Sequence, residues 1–258
     1  MPRSILHIDL NSFFATAEQQ ANPALRNKVV GIIKARGRSC LIATSIEAKA
    51  IGIKTGISLW DAKKIYPKIV LVPADFDKYE SITYRFIDIC RTYTPACEVF
   101  SLDECFLDVT ETEQFFGGAV AIALEIKDRL QAEIGEYMTC SIGLSHNRLL
   151  AKLAGSLVKR DGFFIIDENN AEAALDRCKL TAVLGLGWGL EKHLKRLNID
   201  NFVKLRELSL PTLKRHFGPF WSAHLYNLAR GIDGSAVNSY MNLEDAKSVG
   251  RTYTTHRN

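Results

Sequence analysis

Three carboxylates in two separated segments are the residues of this chain best suited to chemistry. Asp103 and Glu104 stand side by side in Glu98-Val99-Phe100-Ser101-Leu102-Asp103-Glu104-Cys105-Phe106-Leu107-Asp108-Val109, and Asp9 lies near the end of the apolar run Ile5-Leu6-His7-Ile8-Asp9-Leu10. An acidic pair between apolar flanks is costly unless water, a cation or a metal compensates it. Taken alone, the pair reads equally as a solvated turn, since most acidic side chains are exposed, and Asp9 reads as the N-cap of a following helix. Taken together, three converging carboxylates would repel one another unless divalent cations neutralised them. Hard cations such as Mg²⁺ favour oxygen ligands of this kind.

The surrounding pattern says which elements must position them. Residues 5–10 read as a buried strand, and 99–101 with 105–109 as the two strands of a hairpin carrying Asp103 and Glu104 at its junction. A helix follows from residue 12 through 20, and another spans 45–51, ended by Gly52. Helical periodicity returns over 79–93, stopping before Pro95, and over 117–134, where Ile122, Ile126, Leu130 and Ile134 share a face. A strand at 137–144, a helix from 146 to about 159 and a strand at 163–166 follow. Strand, insertion, helix, hairpin, helix, strand is the order of an α+β sheet with two helices on one face. Residues 169–237 are helical, short-looped and basic, with eight Lys or Arg against three Asp or Glu between Lys179 and His216. Within them Leu184-Gly185-Leu186-Gly187 reads as a helix-hairpin-helix. Its glycines let the backbone approach a phosphate that the next helix's amides can hold; a tight turn is the plainer reading. Phe217-Gly218-Pro219-Phe220-Trp221 reads as core and turn.

Composition excludes several classes. The 258 residues, 47% hydrophobic and 24% charged, suit a soluble globular protein with a sizeable core. No apolar run approaches a membrane span, and the N-terminus does not resemble a signal peptide. Six cysteines without C-x-x-C spacing read as reduced, mostly buried thiols of a cytoplasmic protein. A net charge of +4 is mild, so any nucleic-acid argument rests on where the charge sits.

Asp9-Leu10-Asn11-Ser12-Phe13-Phe14-Ala15, followed by Ser101-Leu102-Asp103-Glu104-Cys105-Phe106-Leu107-Asp108, resembles the Y-family translesion DNA polymerases of the bacterial DinB/UmuC type. The likeness runs from about Ile5 to Thr254. It takes in Asn22-Pro23-Ala24-Leu25, Glu47-Ala48-Lys49 with Gly52-Ile53-Lys54-Thr55-Gly56, Ser141-Ile142-Gly143, Lys152-Leu153-Ala154 with Lys159, Leu184-Gly185-Leu186-Gly187 and Ser248-Val249-Gly250-Arg251.

The resemblance implies a ferredoxin-like polymerase palm at 1–11 and 77–168, a small fingers domain at 12–76 and an all-α helix-hairpin-helix thumb at 169–237. A linker at 238–258 would lead toward a little-finger domain, making this chain a truncated one. The implied activity is low-fidelity, lesion-bypass DNA synthesis in DNA repair, by a monomer acting on primer–template DNA and dNTPs. A sliding clamp would be met only through a segment further on, and no membrane is involved. Two Mg²⁺ ions, with Mn²⁺ able to substitute, would be held by Asp9, Asp103, Glu104 and the Leu10 carbonyl. Implied nucleotide contacts are Phe13, the steric gate Phe14, Ser45, Lys49 and Lys159; implied DNA contacts are Gly185, Gly187 and Lys192. Phe13 and Phe14 also read as helix-start core residues, and Lys152 and Lys159 as a solvated helix face.

Two positions depart from the family pattern. Ile46 stands where many relatives carry a phosphate-binding Tyr, and Arg160 where many carry Pro, which puts the local loop shape in question. Two rival classes remain at this level. A catalytically silent DNA-binding adaptor would have lost the acidic triad, and a nucleotide cyclase would lack the basic helix-hairpin-helix and Phe14.

Overall fold

The computed structural model describes residues 3–34, 40–158, 160–239, 248 and 250. In chain order its elements are β1 (Ile5–Leu10), α1 (Phe13–Ala21), β2 (Val30–Ile33), β3 (Leu41–Thr44), α2 (Ile46–Ala50), α3 (Leu59–Ile65), β4 (Val70–Pro73) and α4 (Phe76–Arg91). There follow β5 (Cys97–Val99), β6 (Glu104–Asp108), α5 (Ala119–Arg129), β7 (Cys140–Ser145), α6 (Arg148–Leu157) and β8 (Phe163–Ile166). The helices α7 (Ala171–Asp176), α8 (Trp188–Arg196), α9 (Phe202–Glu207) and α10 (Leu210–Leu228) complete the series.

Side-chain alternation determines how the central sheet is used. Its strand order is β5-β6-β1-β7-β8, with β1 antiparallel to both neighbours and β7 parallel to β8. Leu6, Ile8 and Leu10 of β1, Cys105 and Leu107 of β6, and Cys140, Ile142 and Leu144 of β7 enter one core. The apolar faces of α4 and α5 close that core with Tyr79, Phe86, Ile122 and Ile126. Since successive strand residues face opposite ways, His7, Asp9, Glu104, Phe106, Ser141 and Gly143 share the other face.

That other face is covered by α6, an element the sequence pattern left unplaced. Asn147 caps it by accepting a hydrogen bond from the Leu150 amide. Ala151 packs with Ile5 and Phe106 under the sheet, while Leu149, Leu150 and Leu153 enter a second core shared with α7 to α10. Helix and sheet approach through glycine: a Cβ on Gly143 would fall on the Ala151 carbonyl oxygen and the Gly155 amide.

A second, three-stranded sheet, β3-β2-β4, has its own core of Ile33, Leu41, Ala48, Ile53, Ala62 and Ile69. Helix α1 links the two sheets, with Phe13 and Ala17 in the central core and Ala15 packed with Val30 and Ile32. After α10 the chain returns to the first sheet. Asn147 donates to the Gly231 carbonyl (2.8 Å), Asp233 accepts from the Leu149 amide (3.1 Å) and Glu98 accepts from the Asn238 amide (2.8 Å). Among the described residues no helix is long and apolar enough to cross a membrane.

Several sequence expectations shift. Glu104 opens β6 instead of lying at the hairpin junction, so only Asp103 stays in the turn. The reason is register, because Glu104 pairs with Asp9 at the end of β1. The helix expected over 117–134 ends at Arg129 and continues as one π turn, Leu130–Ile134. Phe220 is 71% exposed and Trp221 40% exposed, which corrects their assignment to core; Gly218 (φ 73°) and Pro219 kink α10 and turn both outward.

Gly143→Ala is expected to cost about 3 kcal/mol, because backbone and not a flexible side-chain end meets the added methyl. Gly155→Ala, whose Cβ would lie 3.2 Å from His7 Nδ1, should cost less. Urea denaturation tests this, and an unchanged Gly143→Ala midpoint would contradict the close packing of α6.

Candidate active site

One register brings the acids together. Asp9 on β1 is the direct partner of Glu104 on β6, and the Leu10 amide donates to the Asp103 carbonyl oxygen at 2.8 Å. That bond makes Asp9 and Glu104 a non-hydrogen-bonded antiparallel pair, the kind with closer side chains, with Cα atoms about 4.5 Å apart. Asp103 lies in the preceding turn, where Ser101 Oγ donates to its Oδ1 at 2.6 Å. Asp108, the fourth acid of the hairpin, sits at the far end of β6 and pairs with Arg3 at 2.9 Å.

The electrostatics record this crowding. Burial, and after it the charges of Asp103 and Glu104, push the Asp9 carboxyl up to about 7. Lys152 and Lys49 oppose the rise without cancelling it. For Glu104, burial pulls upward, but hydrogen bonds from His7 and Lys152 and the Lys152 charge outweigh it and hold the carboxyl below its ordinary value. Lys152 Nζ lies 2.6 Å and His7 Nε2 3.1 Å from Glu104 Oε2. Burial lowers the His7 pKa, outweighing the opposing hydrogen bond to Glu104.

A set of hard oxygen donors carrying excess negative charge fits a divalent cation such as Mg²⁺. Among the described residues no three His, Cys, Asp or Glu side chains are already gathered around one point. Asp103 is turned to Ser101, while Glu104 is bound by Lys152 and His7 through Oε2 alone.

Asp9 and Glu104 open into a cleft of about 740 Å³ between the two sheets. Lys49, Lys54 and Ile46 line it from the smaller sheet's side, and Lys152, Ser156 and Arg160 from the side of α6. Lys49 Nζ donates to Ser12 Oγ at 2.9 Å. Ser12 itself takes φ 50°, a conformation uncommon for a non-glycine residue and often found at functional sites. Asn11 ties the loop after α6 to the end of β1: its Oδ1 accepts from the Asp161 amide (2.8 Å) and its Nδ2 donates to Ser141 Oγ (2.9 Å).

That loop explains one departure from the family pattern. Arg160 has φ 56° and Asp161 φ 62°, and proline, fixed near −65°, cannot adopt such a value. The arginine therefore accompanies a different loop path and adds a cation to the cleft. Lys159 lies outside the described residues. At the other departure, Ile46 presents an apolar wall to the cleft.

The remaining expected site residues divide. Phe14 stacks on Tyr79 (4.1 Å between centroids, 11° between planes) and meets Phe76 edge-on at 6.0 Å. Tyr79 Oη donates to the buried Glu18 at 2.9 Å, and Lys78 pairs with that same carboxylate, so the platform under Phe14 is fixed. Phe13 is buried in the core and does not line the cleft. Ser45 is fully buried; its hydroxyl donates to the Lys28 carbonyl and accepts from the Val30 and Ala48 amides. It caps α2 and leaves no bond for a nucleotide. Gly185 (φ 89°) makes the turn before α8, close under His224, while Gly187 is that helix's N-cap with open space around it. Lys192 is exposed on α8, 5.6 Å from the ring of Trp188.

Sequence reasoning missed His7, which looked only like a break in an apolar strand, and the pairing of Lys152 with Glu104. A polar residue two positions before Asp9, hence on the same strand face, was the available signal for His7.

Residues 8–156 match the impB/mucB/samB family, and residues 183–233 match the thumb domain described for DNA polymerase-iota. The chain is 35% identical over 252 residues to DNA polymerase IV of Gluconobacter oxydans, covering 98% of this chain and 69% of that protein. The corresponding protein of Pelotomaculum thermopropionicum is 35% identical, over 98% of this chain and 62% of its own length. In solved structures, DinB from Sulfolobus solfataricus superposes with a TM-score of 0.80 at 24% identity, over 92% of this chain and 69% of that one. A Y-family polymerase chimera of Dbh and Dpo4 gives 0.81 at 24%, over 91% and 69%. The fold is thus an α+β polymerase palm with a small fingers domain and a helix-hairpin-helix thumb. The chain belongs to the impB/mucB/samB family, the DinB/UmuC type of Y-family DNA polymerase.

Asp9 makes stability depend on pH in a definite sense. A carboxyl held near 7 when folded and near its ordinary 3.9 when unfolded binds its proton more tightly in the folded state. Without divalent cation, stability should therefore fall as pH rises from about 4 to about 7 and stay lowered above. Asp9→Asn should flatten that fall and melt higher than wild type at pH 8. Parallel melting profiles for the two proteins would contradict the charge crowding.

Proposed function

We propose that the chain catalyses template-directed DNA synthesis of the low-fidelity, lesion-bypass kind, adding dNTPs to a primer 3′ end. The observation that carries this reading is the pairing of Asp9 with Glu104, beside Asp103, at the floor of a cation-lined cleft. The relatives named DNA polymerase IV support it.

Asp9, Asp103 and Glu104, with the Leu10 carbonyl, would hold divalent cations, Mg²⁺ by the chemistry of the donors and Mn²⁺ as a substitute. When bound, such ions supply charge neutralisation at the phosphates and a more acidic primer hydroxyl. The protein's own part is positioning and electrostatic stabilisation. Lys49 and Lys54 offer cations from one wall and Arg160 from the other for a triphosphate, and Lys159 is assigned there from the family pattern. Ile46 supplies shape but no hydrogen bond. Phe14, fixed on Tyr79, would exclude a 2′-hydroxyl by collision or by desolvating it without a partner. The catalytic palm is assigned to 1–11 and 77–168, the fingers to 12–76 and the thumb to 169–237. In the thumb, the backbone at Gly185 and Gly187 and the Lys192 ammonium would grip duplex phosphates, which positions DNA without reading its sequence.

Primer extension with Mg²⁺ and one dNTP at a time, on plain and damaged templates, tests the assignment. Asp9→Ala and Asp103→Ala should each retain less than about a tenth of wild-type rate, the loss typical of removing a transition-state charge stabiliser. Retention above that level would argue against metal-assisted transfer at this site. Phe14→Ala should raise ribonucleotide incorporation, and an unchanged dNTP preference would remove it from the sugar-selecting role. Primer–template affinity should fall steeply with salt; a flat salt dependence would contradict phosphate-dominated binding.

A further inference from the structure

His7 is a buried imidazole that the catalytic scheme above does not use. It precedes Asp9 by two positions on β1, is 3% exposed, and packs its ring on Phe106 at 4.7 Å between centroids. Its Nε2 lies 3.1 Å from Glu104 Oε2, the oxygen that also receives Lys152 Nζ at 2.6 Å. Among the described residues nothing donates to Glu104 Oε1. On the other side of the ring, Nδ1 is buried without a hydrogen-bond partner, close behind the backbone of Gly155.

The orphan fixes the tautomer. A proton on Nδ1 would leave a buried donor unpaired and aim the Nε2 lone pair at a carboxylate; a proton on Nε2 gives one charge-assisted hydrogen bond and leaves only an acceptor unpaired. An apolar ring of the same size would fill this slot without burying any polar nitrogen. The histidine therefore carries a cost to the fold, and what it returns is the bond to Glu104.

We propose that His7 is a positioning residue: with Lys152 it pins Oε2 of Glu104, so that Oε1 stays free for a divalent cation. The inference rests on the assignment of Glu104 as a metal ligand. Ligating carboxylates are commonly oriented by outer hydrogen bonds whose removal lowers metal affinity about 10–100-fold.

The test is Mn²⁺ binding to the whole chain without DNA, followed by electron paramagnetic resonance of the free ion, for wild type, His7→Phe, His7→Gln and Glu104→Gln. His7→Phe should weaken binding about tenfold or more. His7→Gln, whose amide can donate in place of Nε2–H, should recover most of the loss. In primer extension His7→Phe should raise the Mg²⁺ concentration for half-maximal rate while leaving the KM for dNTP unchanged. Its metal-free melting temperature should equal or exceed that of wild type, because the orphaned nitrogen is gone. A histidine with a merely structural role gives the opposite pair of results, a lower melting temperature and unchanged Mn²⁺ affinity, and would overturn the proposal. Glu104→Gln separates the two levels. If it leaves Mn²⁺ binding untouched, the metal reading fails and His7 with it; if it weakens binding and His7→Phe does not, only the role of His7 fails. Should His7→Phe not fold, His7→Met carries the same expectation, and misfolding of both would make the histidine structural and refute its positioning role.

Discussion

Negative charge gathered on a half-buried sheet face must be answered by positive charge, and most of this structure is arranged around that requirement. The β1–β6 register sets Asp9 opposite Glu104, and a one-residue slip would send either side chain into the apolar core beneath. The answering cations come from different directions. Lys152 descends from α6, which the small side chains of Gly143 and Gly155 allow to lie close on the sheet, and Lys49 arrives from α2 beside the smaller sheet. Neither fully offsets the acids, since Asp9 still carries a carboxyl pushed up to about 7. That residual imbalance is the physical basis for expecting a divalent cation.

Around this corner the chain separates rigid supports from approachable surfaces. The platform under Phe14 is tied through Tyr79 to the buried Glu18 and from there to Lys78, so the ring that would meet a sugar rests on a satisfied polar network. Asn11 does similar work for the loop after α6, anchoring Asp161 and the strained backbone beside Arg160. In the thumb the exposed groups are of another kind: Trp188, Phe220 and Lys192 stand at a helix-hairpin-helix whose core is otherwise well buried. A surface of that sort suits contact with a backbone that is held but not read.

Much of this was legible in the sequence because it depends on local pattern. The apolar run 5–10, the alternation in 105–109 and Gly52 past the end of α2 all express short-range rules. The hairpin boundary was misplaced because Glu104 looks like a turn residue until its partner Asp9, 95 positions earlier in the numbering, is known to pair with it. Ser45 was assigned to the nucleotide because a hydroxyl's partners are invisible in sequence; here all are backbone groups. His7 and the pairing of Lys152 escaped notice for the same reason, as each has its role only through Glu104. The loop at Arg160 was flagged by the missing proline, but only the backbone dihedral shows why proline cannot stand there.

The most direct test is anomalous diffraction from crystals of the chain grown with primer–template DNA, a non-reactive dNTP analogue and Mn²⁺. The account predicts manganese peaks between Asp9 and the Asp103–Glu104 pair, with Lys49 turned toward the triphosphate. Manganese found elsewhere, with Asp9 still facing only protein groups, would contradict it.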